Sequence, residues 1–194
     1  QLRFARRFYL RLLLGAYLGI AGKSVQIIRS VRGKPVLDPV IHRNSLHFSM
    51  AKSADRLLVG FSSSGQVGVD LEPADRRAHR ALGVARRYFS PAEAEALEAM
   101  PPEDVNRAFL HTWACKEAVV KASGRGIANE LCRFTVETRP GLPPAVLDFE
   151  NEHASNWSLA LTCPEKGFLG AVATRYLGMD LRPVRLLPAL QADI

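Results

Sequence analysis

The segment 90–123 constrains the fold more than any other part of this chain. Ser90-Pro91-Ala92-Glu93 opens a helix: the Ser90 hydroxyl can cap, Pro91 suits the first turn, and Glu93 completes a capping box. Pro101-Pro102 interrupts the helical pattern, which resumes over about 103–123 and stops at Gly124-Arg125-Gly126. Short apolar runs surround this unit. They lie at 25–29, 46–50, 56–62 and 67–71 before it, and at 134–138, 145–149, 157–162 and 168–174 after it. They read as strands separated by Gly-, Pro- and Ser-rich turns. Residues 63–66 form one such turn, and 35–39 a Pro-punctuated loop. Strands and helices mix without a regular βαβ alternation, which predicts an α+β fold rather than a doubly wound parallel sheet.

The chain begins with another helical pattern, residues 3–20. Phe4, Phe8, Leu12 and Ala16 recur every four residues, as do Leu10, Leu14 and Leu18. Two such rows predict a broad apolar face and a well-buried helix ending at Gly22. Arg3, Arg6, Arg7 and Arg11 load its first half, either as a solvated basic flank or as anion contacts. Arg11 interrupts the apolar run and no small-residue cleavage site follows, so the stretch does not read as a signal peptide. No run reaches the length of a membrane span.

With 194 residues, 47% of them apolar and 23% charged, the chain is long and apolar enough for a sizeable core, and wholesale disorder is excluded. Cys115, Cys132 and Cys163 are odd in number and widely spaced, which reads as free thiols in a reducing cytoplasm. The net charge of +7 points to an anionic partner. Arg76, Arg77, His79, Arg80, Arg86 and Arg87 concentrate it in one segment. No helix-turn-helix, zinc-finger or RNA-motif pattern accompanies it, so nucleic acid is not the expected partner. There is no Gly-rich phosphate loop and no nucleophile-elbow motif, and the histidines lack metal spacing.

Two patterns carry chemistry. In Gly68-Val69-Asp70-Leu71-Glu72 the alternation of a strand puts Asp70 and Glu72 on one face. Two such carboxylates are either solvated at a strand end or share a cation, and a hard ion such as Mg²⁺ suits oxygen ligands. In the helix, Trp113, Glu117 and Lys121 are spaced by four and share a stripe. That stripe is either an ordinary surface pair or half of a metal and phosphate site.

The two patterns together, in the order 67–72 and 113–121, resemble the paired signature of the 4′-phosphopantetheinyl transferases, the larger Sfp-like kind. Gly33-Lys34-Pro35, the segment 87–93 and Gly124-Arg125-Gly126 resemble three further pieces of that family in order and spacing, and the resemblance spans about residues 3–175. It implies a pseudo-twofold pair of α+β halves, here 1–85 and 86–194, with the ligand cleft between them and the first half short at its start. It implies a Mg²⁺-dependent enzyme of the holo-[acyl-carrier-protein] synthase type. Such an enzyme moves the phosphopantetheine arm of coenzyme A to a serine of an acyl or peptidyl carrier protein and releases adenosine 3′,5′-bisphosphate. By position, Asp70, Glu72 and Glu117 would hold the metal, and Asp70, Glu117 and Lys121 would be catalytic. Arg7, Lys34, Lys52, Lys116 and Lys121 would contact coenzyme A. The family's Ser-His step is replaced here by Ala51-Lys52. That departure motivates a second expectation, a catalytically weak coenzyme A or carrier-binding protein of the same fold.

Overall fold

The computed structural model describes residues 2–43, 46–126 and 130–186. Helix α1 spans Leu2–Leu18 and is followed by two short strands, β1 (Ile27–Arg29) and β2 (Pro35–Leu37). Strands β3 (His47–Ser53), β4 (Arg56–Ser62) and β5 (Val67–Pro73) come next. Three helices follow: α2 (Ala81–Tyr88), α3 (Pro91–Glu98) and α4 (Pro102–Ser123). The chain finishes with β6 (Phe134–Glu137), β7 (Ala145–Phe149), β8 (Ser158–Thr162) and β9 (Phe168–Thr174). The class is α+β, as the mixed periodicities predict.

All the strand pairs are antiparallel: β1 with β2, β3 with β4, β6 with β7, and a three-stranded sheet in the order β5-β9-β8. In that sheet Asp70 faces Ala171 and Glu72 faces Leu169 across the ladder. The expected boundary at 85/86 falls inside α2, and the chain on either side of it is joined by the β5–β9 pairing.

Helix α4 lies across this sheet. Its Ala114, Cys115, Ala118, Val119 and Ala122 are buried with Ala171 and Ala173 of β9 and with the aromatic stack Phe134–Phe149–Trp157. The small residues allow a close approach. A Cβ on Gly68 would stand 1.9 Å from the Ala118 carbonyl oxygen and 2.4 Å from the Ala122 nitrogen, so only glycine fits there. The β3–β4 hairpin packs on the other side of β5, where Gly60 receives the Val69 side chain and Ser49 Oγ accepts the Val69 N–H at 3.2 Å.

Several local expectations hold and others need correction. The Ser90–Glu93 capping box forms, with both reciprocal bonds present. Gly124, with φ of 68°, ends α4. Gly22 does not end α1: Gly19, at φ 68°, follows its last turn, and Gly22 starts a separate 3₁₀ turn. Burial of α1 is also one-sided. Leu10 and Leu14 are buried against Val25, Leu37 and Phe48, whereas Phe4 is 77% exposed and Phe8 55%. Of its arginines, Arg6 donates to the Ala54 carbonyl at 2.5 Å and Arg11 to the Val25 carbonyl. Both tie the helix to the strands. The Arg3 side chain and Pro188 lie outside the described residues. Among those residues no helix is long and apolar enough to cross a membrane, and Cys115, Cys132 and Cys163 form no disulfide with one another.

Candidate active site

The site is built where α4 crosses β5. The fourfold spacing on α4 directs Glu117 and Lys121 toward β5 and sets Trp113 on the same stripe against Phe89 and Phe109, and alternation on β5 directs Asp70 and Glu72 toward α4. Lys121 Nζ lies 2.6 Å from Asp70 Oδ1 and 4.0 Å from Glu117 Oε2. Glu72 pairs instead with Arg76, at 2.6 Å, and the Arg76 guanidinium lies over the Trp113 ring at 5.9 Å. Arg76 is therefore the residue that links the acidic strand to the aromatic start of the stripe. Sequence reasoning placed it only within a basic segment. Its signal was the four-residue spacing from Glu72.

Asp70 and Glu117 are both buried. Burial pushes the Glu117 carboxyl up to about 7; the Lys121 charge opposes this, and Asp70 and Glu72 add to it. Glu117 thus exchanges a proton near neutrality. The second Asp70 oxygen, Oδ2, is buried with no hydrogen-bond partner. Such an atom is costly unless something positive or hydrogen-donating reaches it. Among the described residues no three His, Cys, Asp or Glu side chains stand together as a ready-made metal cluster.

Lys34 reaches the same end of α4 from the turn before β2. Its ammonium donates to Gln66 Oε1 at 3.0 Å and to the Val67 carbonyl at 3.1 Å, and its stem runs beside Gly124. Burial pulls it down to about 8. Lys52 is exposed on β3 and Arg7 is exposed on α1.

Lys116 corrects the sequence reading. It is fully buried, its Nζ 2.6 Å from Glu93 Oε2 and donating to the Phe134 carbonyl at 2.6 Å, over the Phe134 ring at 4.1 Å. Its neighbour Glu117 faces β5, but one residue along a helix is a 100° rotation. That rotation aims Lys116 at α3 and β6, where it cannot meet coenzyme A. Burial lowers its affinity for the proton while Glu93 raises it.

Residues 66–173 match the 4′-phosphopantetheinyl transferase superfamily. The 4′-phosphopantetheinyl transferase HetI of Nostoc is 33% identical over 174 residues, 90% of this chain and 70% of the relative. The 4′-phosphopantetheinyl transferase Sfp of Bacillus subtilis is 29% identical over 104 residues, 54% of this chain and 43% of the relative. A solved holo-(acyl-carrier-protein) synthase from Bacillus anthracis, in complex with CoA (3′,5′-ADP), overlaps 56% of this chain and 92% of its own at 19% identity and a TM-score of 0.45. The chain belongs to the 4′-phosphopantetheinyl transferase superfamily. It spans 70% of the Nostoc relative and less than half of the Bacillus subtilis one.

Proposed function

We propose that the protein transfers the phosphopantetheine arm of coenzyme A to a serine of an acyl or peptidyl carrier protein. The observation that carries this reading is the arrangement of Asp70 on β5 with Lys121 and Glu117 on α4, two buried acids on either side of a partly exposed cation. In the reaction the serine oxygen attacks the phosphorus that bears the pantetheine arm. The bond to the bridging pyrophosphate oxygen breaks, and adenosine 3′,5′-bisphosphate leaves with that oxygen. Glu117, beside Lys121 and facing β5, takes the serine proton. Lys121 offsets the negative charge that develops on the bridging oxygen. Lys34 holds phosphate on the nucleotide side, with Lys52 and Arg7 as exposed cations for the remaining charge.

The chemistry of the three carboxylates suits Mg²⁺ once Glu72 turns from Arg76 to join Asp70 and Glu117. Asp70 Oδ2 is buried without a hydrogen-bond partner, and Asp70 and Glu72 both act to raise the Glu117 carboxyl, as neighbouring carboxylates do. Asp70, Glu72 and Glu117 would hold the ion, which would supply charge stabilisation to the phosphate oxygens. The residues proposed to meet coenzyme A come from both 1–85 and 86–194, as a ligand cleft between two halves would require.

Intact mass spectrometry of an apo carrier protein incubated with this protein, coenzyme A and Mg²⁺ tests the reading. A gain of about 340 Da, one phosphopantetheine arm, is expected, slowed roughly 10²–10³-fold in Glu117→Ala. The buried methyl of Ala51 beside exposed Lys52, in place of the family's Ser-His, favours one alternative, a binding protein of weak turnover. No mass gain with several carriers while coenzyme A still binds would select it.

A further inference from the structure

The Gln66 carboxamide stands between two basic side chains. Its Oε1 accepts from Lys34 Nζ at 3.0 Å, and its Nε2 lies 3.0 Å from His47 Nδ1. The directions of these bonds are forced. A lysine ammonium only donates, so the carboxamide must turn its oxygen to Lys34 and its NH₂ to the histidine. An NH₂ only donates, so Nδ1 of His47 must be the bare acceptor and Nε2 must carry the ring proton. The backbone of Gln66 is itself fixed, its carbonyl accepting from Thr174 Oγ1 at 3.1 Å and from the Arg175 N–H. Lys34 uses two of its three protons on Gln66 and the Val67 carbonyl. Among the described residues its third is left for a ligand. Burial and the Lys34 charge both hold His47 below the ordinary imidazole range, in keeping with a neutral ring.

We infer that Gln66 is a positioning residue. It aims the Lys34 ammonium at the phosphate of the incoming coenzyme A, and it locks His47 in the neutral tautomer with its proton on Nε2. The first half of this inference rests on the transferase reading; the second does not.

The experiment uses the full chain with ¹⁵N-labelled histidine, free and with coenzyme A, for the wild type, Gln66→Ala and Gln66→Glu. In the wild type the His47 signals should show a bare Nδ1 and a protonated Nε2. In Gln66→Glu a carboxylate can still hold Lys34 but can only accept from His47, so the proton should move to Nδ1 and the ring should hold it to higher pH. In Gln66→Ala the two tautomers should mix. Loss of one charge-assisted bond should raise the KM for coenzyme A about tenfold, more than it lowers kcat, and Gln66→Glu should recover most of that loss. An unchanged His47 tautomer in both variants would overturn the inference, as would an unchanged KM in Gln66→Ala. If the wild type binds no coenzyme A, the transferase reading fails, and the tautomer inversion in Gln66→Glu still decides the lock.

Discussion

At the scale of single residues, Gly68 decides whether the site exists. Strand and helix backbones meet there, with Ala118 and Ala122 inside the volume a methyl group would fill. Neither contact is a flexible side-chain end, so a Cβ must push β5 away from α4. Gly68→Ala should cost roughly 3 kcal/mol, the upper part of the range for overpacking, read as a lower denaturant midpoint. It should also slow transfer, because Asp70 follows two residues later and would withdraw from Lys121. Normal stability and activity together would contradict the close approach. The carboxylates and Lys121 were legible from spacing, because strand alternation and helical pitch fix a side chain's face without tertiary information. Gln66 and His47 were not: the positions are nineteen residues apart and lack any shared period. Only the placement of the β3–β4 hairpin beside β5 brings them together.

At the scale of elements, the ion pair of Lys116 and Glu93 ties three of them into one unit. Glu93 caps α3 through Ser90, accepts the Val136 N–H of β6 at 2.8 Å, and receives Lys116 from α4. Removing one partner of a buried pair strands the other. Lys116→Met should therefore destabilise by roughly 3–5 kcal/mol. Glu93→Gln in the same chain should restore part of that loss, and a double-mutant cycle on the denaturation midpoints reads the coupling. A cost near zero for Lys116→Met would mean that this ion pair does not hold the three elements together. Elements with strong local signals, such as α3 and α4, were legible because caps and glycine stops act within a few residues. Helix α2 was not. It is eight residues long, rich in arginine, and starts at Arg80 in a left-handed conformation (φ 60°) without a side-chain cap. Its helicity comes from burying Ala81 and Ala85 against Phe89 and Phe109. Strand β2 was missed for a related reason: Pro35 removes a ladder donor, and proline is tolerated only at the start of a short edge strand.

At the scale of the whole molecule, the β5–β9 pairing joins residues about a hundred positions apart and sets the acids of β5 under α4. The burial this produces has a consequence for stability. Glu117 titrates near 7 in the folded protein against 4.5 when unfolded. The folded state therefore binds more protons between these values. Stability from this group is full below pH 4.5 and is lost as the pH rises through 7, by roughly 3 kcal/mol. Denaturation of the metal-free protein in the presence of a chelator should show this slope, and Glu117→Gln should flatten it. Equal slopes in the two proteins would mean that Glu117 is solvated.

The sequence alone determined the α+β class, the limits of α4, the acidic face of β5 and the stripe opposite it. Each of these depends on periodicity or on capping chemistry, which act over a few residues. Tertiary structure decided the rest. It buried one row of α1 and left the other exposed, because a helix covers only as much apolar surface as its neighbours offer. It turned Lys116 toward α3 and β6 and Glu117 toward β5, although the two are adjacent in the chain. It also paired Glu72 with Arg76 and Lys34 with Gln66, since which polar groups meet depends on how the elements pack.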